Sequence, residues 1–248
     1  MSYGRDFASV YDRFTDNVEY RKRADYMLDL LKTGGVTEGI LLDVACGTGK
    51  LTQYLCKKGY DIVAADRSPD MLQIARERLR KADSDALVLC QDMRALDLYG
   101  TVDAAVCTLD SVNHLTETED VRQAFGSIGL FLRPGGLFVF DVNTPYKHET
   151  ILSGNTFVYE DDEAYLVWQN SECEENGTVE IMLDIFFTEN GETYTRAYED
   201  FAERAYTIDT LEALLRDAGF AVEHVYGDMT RKAPAAEEER VYFVARKM

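Results

Sequence analysis

The chain has 248 residues, enough for one large domain or one domain with an insertion, and its 46% hydrophobic content supports a sizeable core. A net charge of −19 argues against a nucleic-acid substrate, because phosphate contacts are made by lysine and arginine; what remains open is a local basic groove, and the main effect of the charge is solubility. No apolar run reaches the about 18 residues that a membrane-spanning helix needs, so no membrane partner is expected.

Met1 to Arg13 is polar and aromatic, without the apolar block of a signal peptide. Val18, Tyr26, Met27, Leu30 and Leu31 then recur at helical spacing over Asn17 to Lys32, and Gly34-Gly35 closes the pattern. Leu41-Leu42-Asp43-Val44-Ala45-Cys46-Gly47-Thr48-Gly49 is an apolar run ending in small residues and glycines. A helical pattern follows from Lys50 to Lys58, with Leu51, Tyr54 and Leu55 on one face. Strand, tight turn and helix in that order open a nucleotide-type site, where the first turn of the helix offers N–H groups to an anionic ligand.

Tyr60 to Ala65 reads as a second strand closed by Asp66, about 20 residues past the glycines, where a carboxylate suits a ribose diol. Capping the next helix is the plainer role for Asp66, but Ser68 and Pro69 fill it better. A dinucleotide fingerprint fails because Thr52 stands at its third glycine. A P-loop fails because Val44 stands at its first glycine and Leu51 at its hydroxyl position. What remains is D-x-x-x-G-x-G after a strand.

Leu87 to Met93, with Asp92 near its end, and Val102 to Leu109 are two further, mostly apolar runs. Asp110-Ser111-Val112-Asn113-His114-Leu115 is the loop after the second of them. Leu132-Arg133-Pro134-Gly135-Gly136 turns into a strand from Leu137 to Asp141, and Asn143-Thr144-Pro145-Tyr146 reads as a turn and helix start. Strands and helices alternating to about Val142 imply a parallel sheet wrapped on both faces. Thr156 to Glu160, Ala164 to Cys173, Thr178 to Thr188 and Glu192 to Tyr206 are strand-like instead. Glu175-Asn176-Gly177 and Glu189-Asn190-Gly191 give hairpin signals between three of them, so an antiparallel meander is expected. From Ile151 to Asp200 it holds thirteen acidic residues and one basic one, Arg196. Such a face discourages edge pairing, or attracts a cationic substrate. A helix over Ile208 to Ala218 and strands near Ala221 to Gly227 and Arg240 to Lys247 return to the main sheet.

The D-x-x-x-G-x-G string resembles motif I of the class I S-adenosylmethionine (SAM) methyltransferases, and the later segments match that family in order. The resemblance implies an α/β fold: a doubly wound, seven-stranded, mostly parallel sheet with a small antiparallel β insertion after strand 5. It divides the chain into a SAM-binding domain, 1–150 and 207–248, and an inserted lid, 151–206. SAM would be held by Asp43, Ala45, Gly47 and Gly49, by Asp66 with Arg67 and Met71, by Asp92 and Met93 at the adenine, and by Leu109. Tyr11 and Tyr20 resemble aromatics that close over SAM. Ala45 departs from the family, which often has glycine there.

His114, able to take a proton near neutral pH, and Asp110, able to orient an amine, are the candidate catalytic residues. Trp168, Arg204 and Tyr206 are the candidate substrate contacts, although aromatics in strands mostly serve packing. Three separated histidines and no C-x-x-C pair give no metal site. Five cysteines, an odd number, point to free thiols in a reducing cytoplasm. The expected reaction moves a methyl group to an N or O nucleophile of a small molecule. The alternatives are a protein or tRNA methyltransferase and a SAM-binding regulatory protein without turnover. The insertion is also the candidate surface for a homodimer.

Overall fold

The computed structural model describes residues 7, 12–15, 18–188 and 190–248. The described elements run α1 (Tyr20–Thr33), β1 (Gly39–Val44), α2 (Lys50–Leu55), β2 (Tyr60–Asp66), α3 (Pro69–Lys81), β3 (Leu87–Cys90), β4 (Val102–Cys107), α4 (Thr118–Phe131) and β5 (Leu132–Asn143). Then follow β6 (Thr156–Glu160), β7 (Ala164–Asn170), β8 (Thr178–Phe187), β9 (Thr195–Arg204), α5 (Ile208–Asp217), β10 (Phe220–Gly227) and β11 (Arg240–Lys247).

Seven strands form one sheet in the order β10-β11-β5-β4-β1-β2-β3, with β11 antiparallel to both neighbours and the other pairs parallel. Its central strands are apolar on both faces, as a sheet covered on both sides must be. Leu42, Val44, Phe138, Phe140 and Phe243 pack against Phe125 and Ile128 of α4 and Leu211 and Leu215 of α5. The alternate residues Leu41, Val106, Val139 and Val244 pack against Met27 and Leu31 of α1, Leu55 of α2 and Leu72 of α3. The helix expected over Lys50 to Lys58 stops at Leu55. Its last residues tighten into a 3₁₀ turn, Cys56–Lys58, before Gly59 at φ +89°.

The insertion is a four-stranded antiparallel sheet in the order β6-β7-β8-β9. Val179, Ile181, Leu183 and Ile185 alternate along β8 on its buried face. They join Leu166, Leu152 and Met71 of α3 in a third apolar cluster. The insertion is therefore packed onto the helix that follows Asp66. A single π-helical segment, Lys147–Leu152, links β5 to this sheet; such segments are rare and frequent at functional sites. Among the described residues, no helix is long and apolar enough to cross a membrane.

Candidate active site

The turn after β1 is built from left-handed backbone: Ala45 at φ +57°, Gly47 at +54° and Gly49 at +71°. The two glycines serve different needs. A Cβ at Gly47 would meet nothing within 4 Å, so its requirement is conformational and its backbone stays approachable. A Cβ at Gly49 would stand 3.0 Å from Ala75 Cβ, so glycine there lets α2 lie close to α3.

Asp66 fastens this turn to the end of β2. Its Oδ2 accepts from Gly47 N–H at 2.9 Å and its Oδ1 from Ser68 N–H at 2.8 Å. Burial pushes its carboxyl up, against those N–H groups, which pull it down. Asp43 lies buried beneath the turn and accepts from Thr52 Oγ1 at 2.6 Å. Burial lifts it to about 7, against the Thr52 bond and with the help of Asp66. At the end of β3, Asp92 accepts from Arg94 N, Nε and Nη2 at 2.9, 3.0 and 2.6 Å. The Arg94 contact comes first among the causes that hold its carboxyl low.

Asp12 and Arg13 tie the N-terminal segment to both sheets. Asp12 Oδ1 accepts from Thr48 Oγ1 at 2.8 Å, and its other oxygen pairs with Arg78 of α3. Arg13 pairs with Asp161 at 3.0 Å and Glu163 at 2.7 Å, in the turn between β6 and β7.

A cavity follows the carboxyl ends of β1, β2 and β4, the ligand position of open α/β sheets. Asp43, Ala45 and Gly47 line its floor, with Tyr20 and Lys50 beside them. Asp66, Arg67 and Met71 line one flank, Asp92 and Met93 one end, and Leu109, Ser111 and His114 the other end. The expected cofactor residues are thus brought together, with two exceptions. Gly49 does not line the cavity, and Tyr11 lies outside the described residues.

Asp110 sits behind the cavity rather than on it. Leu109 and Asp110 are consecutive non-glycine residues at φ +56° and +55°, backbone that costs on the order of 1–3 kcal/mol each unless its surroundings fix it. The surroundings do fix it. Asp110 N–H donates to Asp141 Oδ1 at 3.0 Å, and Asp110 Oδ2 accepts from Asn143 Nδ2 at 2.8 Å and Arg240 Nη2 at 3.1 Å. Burial alone would raise the Asp110 carboxyl. Arg240, Lys147 and His114 outweigh it and bring Asp110 down to about 2. Burial takes His114 down to about 4, against the pull of Asp110, so its imidazole is neutral at pH 7.

The three expected substrate contacts are engaged elsewhere and do not line this cavity. Tyr206 is buried, with its hydroxyl donating to the Leu115 carbonyl. Arg204 lies over the Tyr206 ring and donates to the carbonyls of Asn176 and Thr116. Trp168 packs edge-on against Phe157 in the third cluster and donates to Asn170 Oδ1 at 2.7 Å. Each spends its polar atoms on holding the insertion to itself or to the loop after β4.

Conversely, the sequence reading missed Asn143, Lys147, Glu203 and Arg240, which surround Asp110. In sequence the Asn143 string is a turn and helix start, and the backbone there does enter a helical turn. The buried amide of Asn143 nevertheless contacts Asp110, Glu203 and Lys147.

A family model described as a methyltransferase domain matches residues 41–136. A putative methyltransferase of Bacillus subtilis (strain 168), YqeM, is 32% identical, over 97% of this chain and 96% of its own. The solved structure of an S-adenosylmethionine-dependent methyltransferase from Clostridium acetobutylicum ATCC 824 superposes with a TM-score of 0.90 at 30% identity, covering 98% of each chain. A dTDP-3-amino-3,4,6-trideoxy-alpha-D-glucopyranose N,N-dimethyltransferase of Streptomyces venezuelae is 36% identical over 141 residues, which are 56% of this chain and 58% of its own.

Proposed function

The chain belongs to the class I S-adenosylmethionine-dependent methyltransferases, and from that premise we propose that it methylates the nitrogen of a small-molecule amine. The observation that carries this reading is the acidic environment of the cavity's His114 end. Ionised Asp110 lies behind it, and the inserted sheet that reaches it through Glu203 carries thirteen acidic residues against one basic residue between Ile151 and Asp200. Such a field draws in a cation and repels phosphate. The similarity to an aminosugar N,N-dimethyltransferase supports nitrogen over oxygen.

The residues fit the cofactor. The open backbone at Gly47 admits a ligand against the turn, and Asp66, held from one side by two N–H groups, keeps lone pairs for ribose hydroxyls. Asp92 and Met93 are the proposed adenine contacts, with Arg94 aiming the Asp92 carboxylate. SAM supplies a methyl group already activated by its sulfonium. The chain supplies alignment and exclusion of water, and alignment alone contributes on the order of 7–11 kcal/mol in favourable cases. Neutral His114 is proposed to orient the amine by accepting a hydrogen bond from its N–H, with Asp110 fixing the loop on which it stands. The insertion, 151–206, is the proposed lid. Its outer face exposes Val158, Tyr165 and Tyr198, a surface we assign to a second copy of the chain; light scattering of Val158→Glu against wild type tests that contact. With all five cysteines free, a reducing cytoplasm is the proposed setting.

The test is transfer from methyl-labelled SAM to matched panels of small amines, small alcohols, protein and tRNA. Label confined to hydroxyl compounds or to a macromolecule would overturn the amine reading.

A further inference from the structure

The insertion reaches the His114 end of the cavity through Glu203. Along β9, Ala197, Phe201 and Glu203 share the face paired with the buried residues of β8, and Glu203 is 5% exposed. Its carboxyl lies between two imidazoles. Oε1 is 3.6 Å from His114 Nε2, and Oε2 is 3.8 Å from His148 Nε2. Both separations exceed a hydrogen bond and become one with a shift of less than about 1 Å. Asn143 aims the group: its Nδ2 donates to Glu203 Oε2 at 3.3 Å and to Asp110 Oδ2 at 2.8 Å, while its Oδ1 accepts from Lys147 Nζ at 3.0 Å.

The hydrogens in this cluster balance in one way. His148 is fully buried, and its Nδ1 lies 3.0 Å from the Gly177 carbonyl, which can only accept, so Nδ1 bears the hydrogen. Its Nε2 then holds a lone pair and has no hydrogen-bond partner among the described residues. Buried acceptors are rarely left so. The Glu203 carboxyl faces that lone pair, and only its protonated form can donate to it. An imidazolium beside a carboxylate is the opposing arrangement. Burial disfavours it on both sides, pushing His148 down and Glu203 up, the latter with help from Asp110. The other groups that face this pair are Lys147 from the π-helical turn, Arg240 from β11 and His114 from the loop after β4. Farther out, Glu239 acts on Lys147, and Arg67 on His114.

We propose that Glu203 is a positioning residue for His114: its protonated carboxyl donates through Oε2 to His148 Nε2 and accepts through Oε1 from His114 Nε2–H, leaving Nδ1 as the basic nitrogen of His114. This rests on the reading that His114 marks the acceptor end of the cavity. It makes the inserted sheet a part of the proton-handling site and not only a cover, because the tautomer of His114 is set by a side chain the insertion carries. It also couples the two histidines, since one carboxyl serves both.

The chain has three histidines, so ¹⁵N-histidine NMR of the full protein reads each ring, with His114→Gln, His148→Gln and His224→Gln for assignment. In the wild type, hydrogen is expected on Nδ1 of His148 and Nε2 of His114. Both rings should shift together as Glu203 ionises around pH 8. In Glu203→Gln the amide can keep both contacts but cannot titrate, so the tautomers should persist and the shared transition should vanish. Hydrogen on the opposite nitrogen of either ring in the wild type overturns the proposal without recourse to a variant. An unchanged transition in Glu203→Gln, checked as folded by its SAM affinity, overturns it too. Neither readout needs a methyl acceptor, so failure of this contact and failure of the amine reading are separate results.

Discussion

Gly47 and Asp66 are joined by a hydrogen bond, from the N–H of the turn after β1 to Oδ2 at the end of β2, at 2.9 Å. The acid expected to take the ribose hydroxyls thus also holds the glycine turn in shape. Asp66→Ala should therefore lose a charged acceptor and loosen the turn together. The expected loss of SAM affinity is roughly 1.5–3 kcal/mol, about ten- to a hundredfold, measured by calorimetry with NAD as control. Unchanged SAM affinity would remove Asp66 from the site.

Ala45 sits at φ +57°, backbone that glycine adopts without cost and alanine does not. Ala45→Gly relieves about 1–2 kcal/mol of that strain and adds about 0.5–1 kcal/mol of unfolded-state entropy. The expected result is a net gain of roughly 0.5 kcal/mol in stability by chemical denaturation, with SAM binding retained. A clear loss would show that the Ala45 methyl, which packs against the core around Leu42 and Val44, matters more than its backbone.

The order of elements was legible because periodicity and glycines report backbone directly. Thr156–Glu160 and Arg240–Lys247 form with the bounds expected, and β5 is longer than expected only because its paired residues extend into the glycine turn and to Asn143. The cavity lining at the ends of β1, β2 and β3 was legible for a related reason: Asp43, Gly47, Asp66 and Asp92 lie there, at positions set by the local chain. The cluster around Asp110, behind the cavity, was not. Asn143, Glu203 and Arg240 come from the ends of three strands widely separated in sequence, and what brings them to Asp110 is the antiparallel placement of β11 and the packing of the insertion. Arg204 and Tyr206 stand where the insertion rejoins the main sheet, a place suited in sequence to an acidic group on a substrate, while here they bind the loop at Leu115 and Thr116.

Asp43 gives the pH dependence of stability a definite sign. Its carboxyl is raised to about 7 by burial, from about 3.9 when unfolded. The folded state therefore holds a proton that the unfolded state gives up. The stabilisation is complete below about pH 4 and is lost as pH rises through 7, by on the order of 4 kcal/mol in all. Asp43→Asn removes the ionisation while leaving an oxygen for Thr52 to bond. Urea denaturation of both proteins at pH 5 and pH 7.5 should show the variant gaining on the wild type at the higher pH. A stability difference that does not change between the two would mean that Asp43 ionises near its ordinary value.

Met71 belongs to both halves of the molecule. It lines the cavity, and it packs with Leu166, Ile181 and Ile185 of the insertion. Replacing Ala164–Thr195 by a short Gly-Ser linker would remove β7 and β8 and uncover this side chain. It would leave Asp43, Gly47, Asp66 and Asp92 on the main sheet and Glu203 on the remainder of β9. SAM affinity should then fall by less than about tenfold, the loss of about 1.4 kcal/mol or less, from Met71 alone. Methyl transfer to the proposed amine acceptor should disappear, because the proposed lid is gone and water is no longer excluded. Calorimetry and transfer from labelled SAM separate the two effects. A folded deletion that still transfers at the wild-type rate would reduce the insertion to a contact surface, and one that no longer binds SAM would place the cofactor's support in the insertion rather than in the sheet.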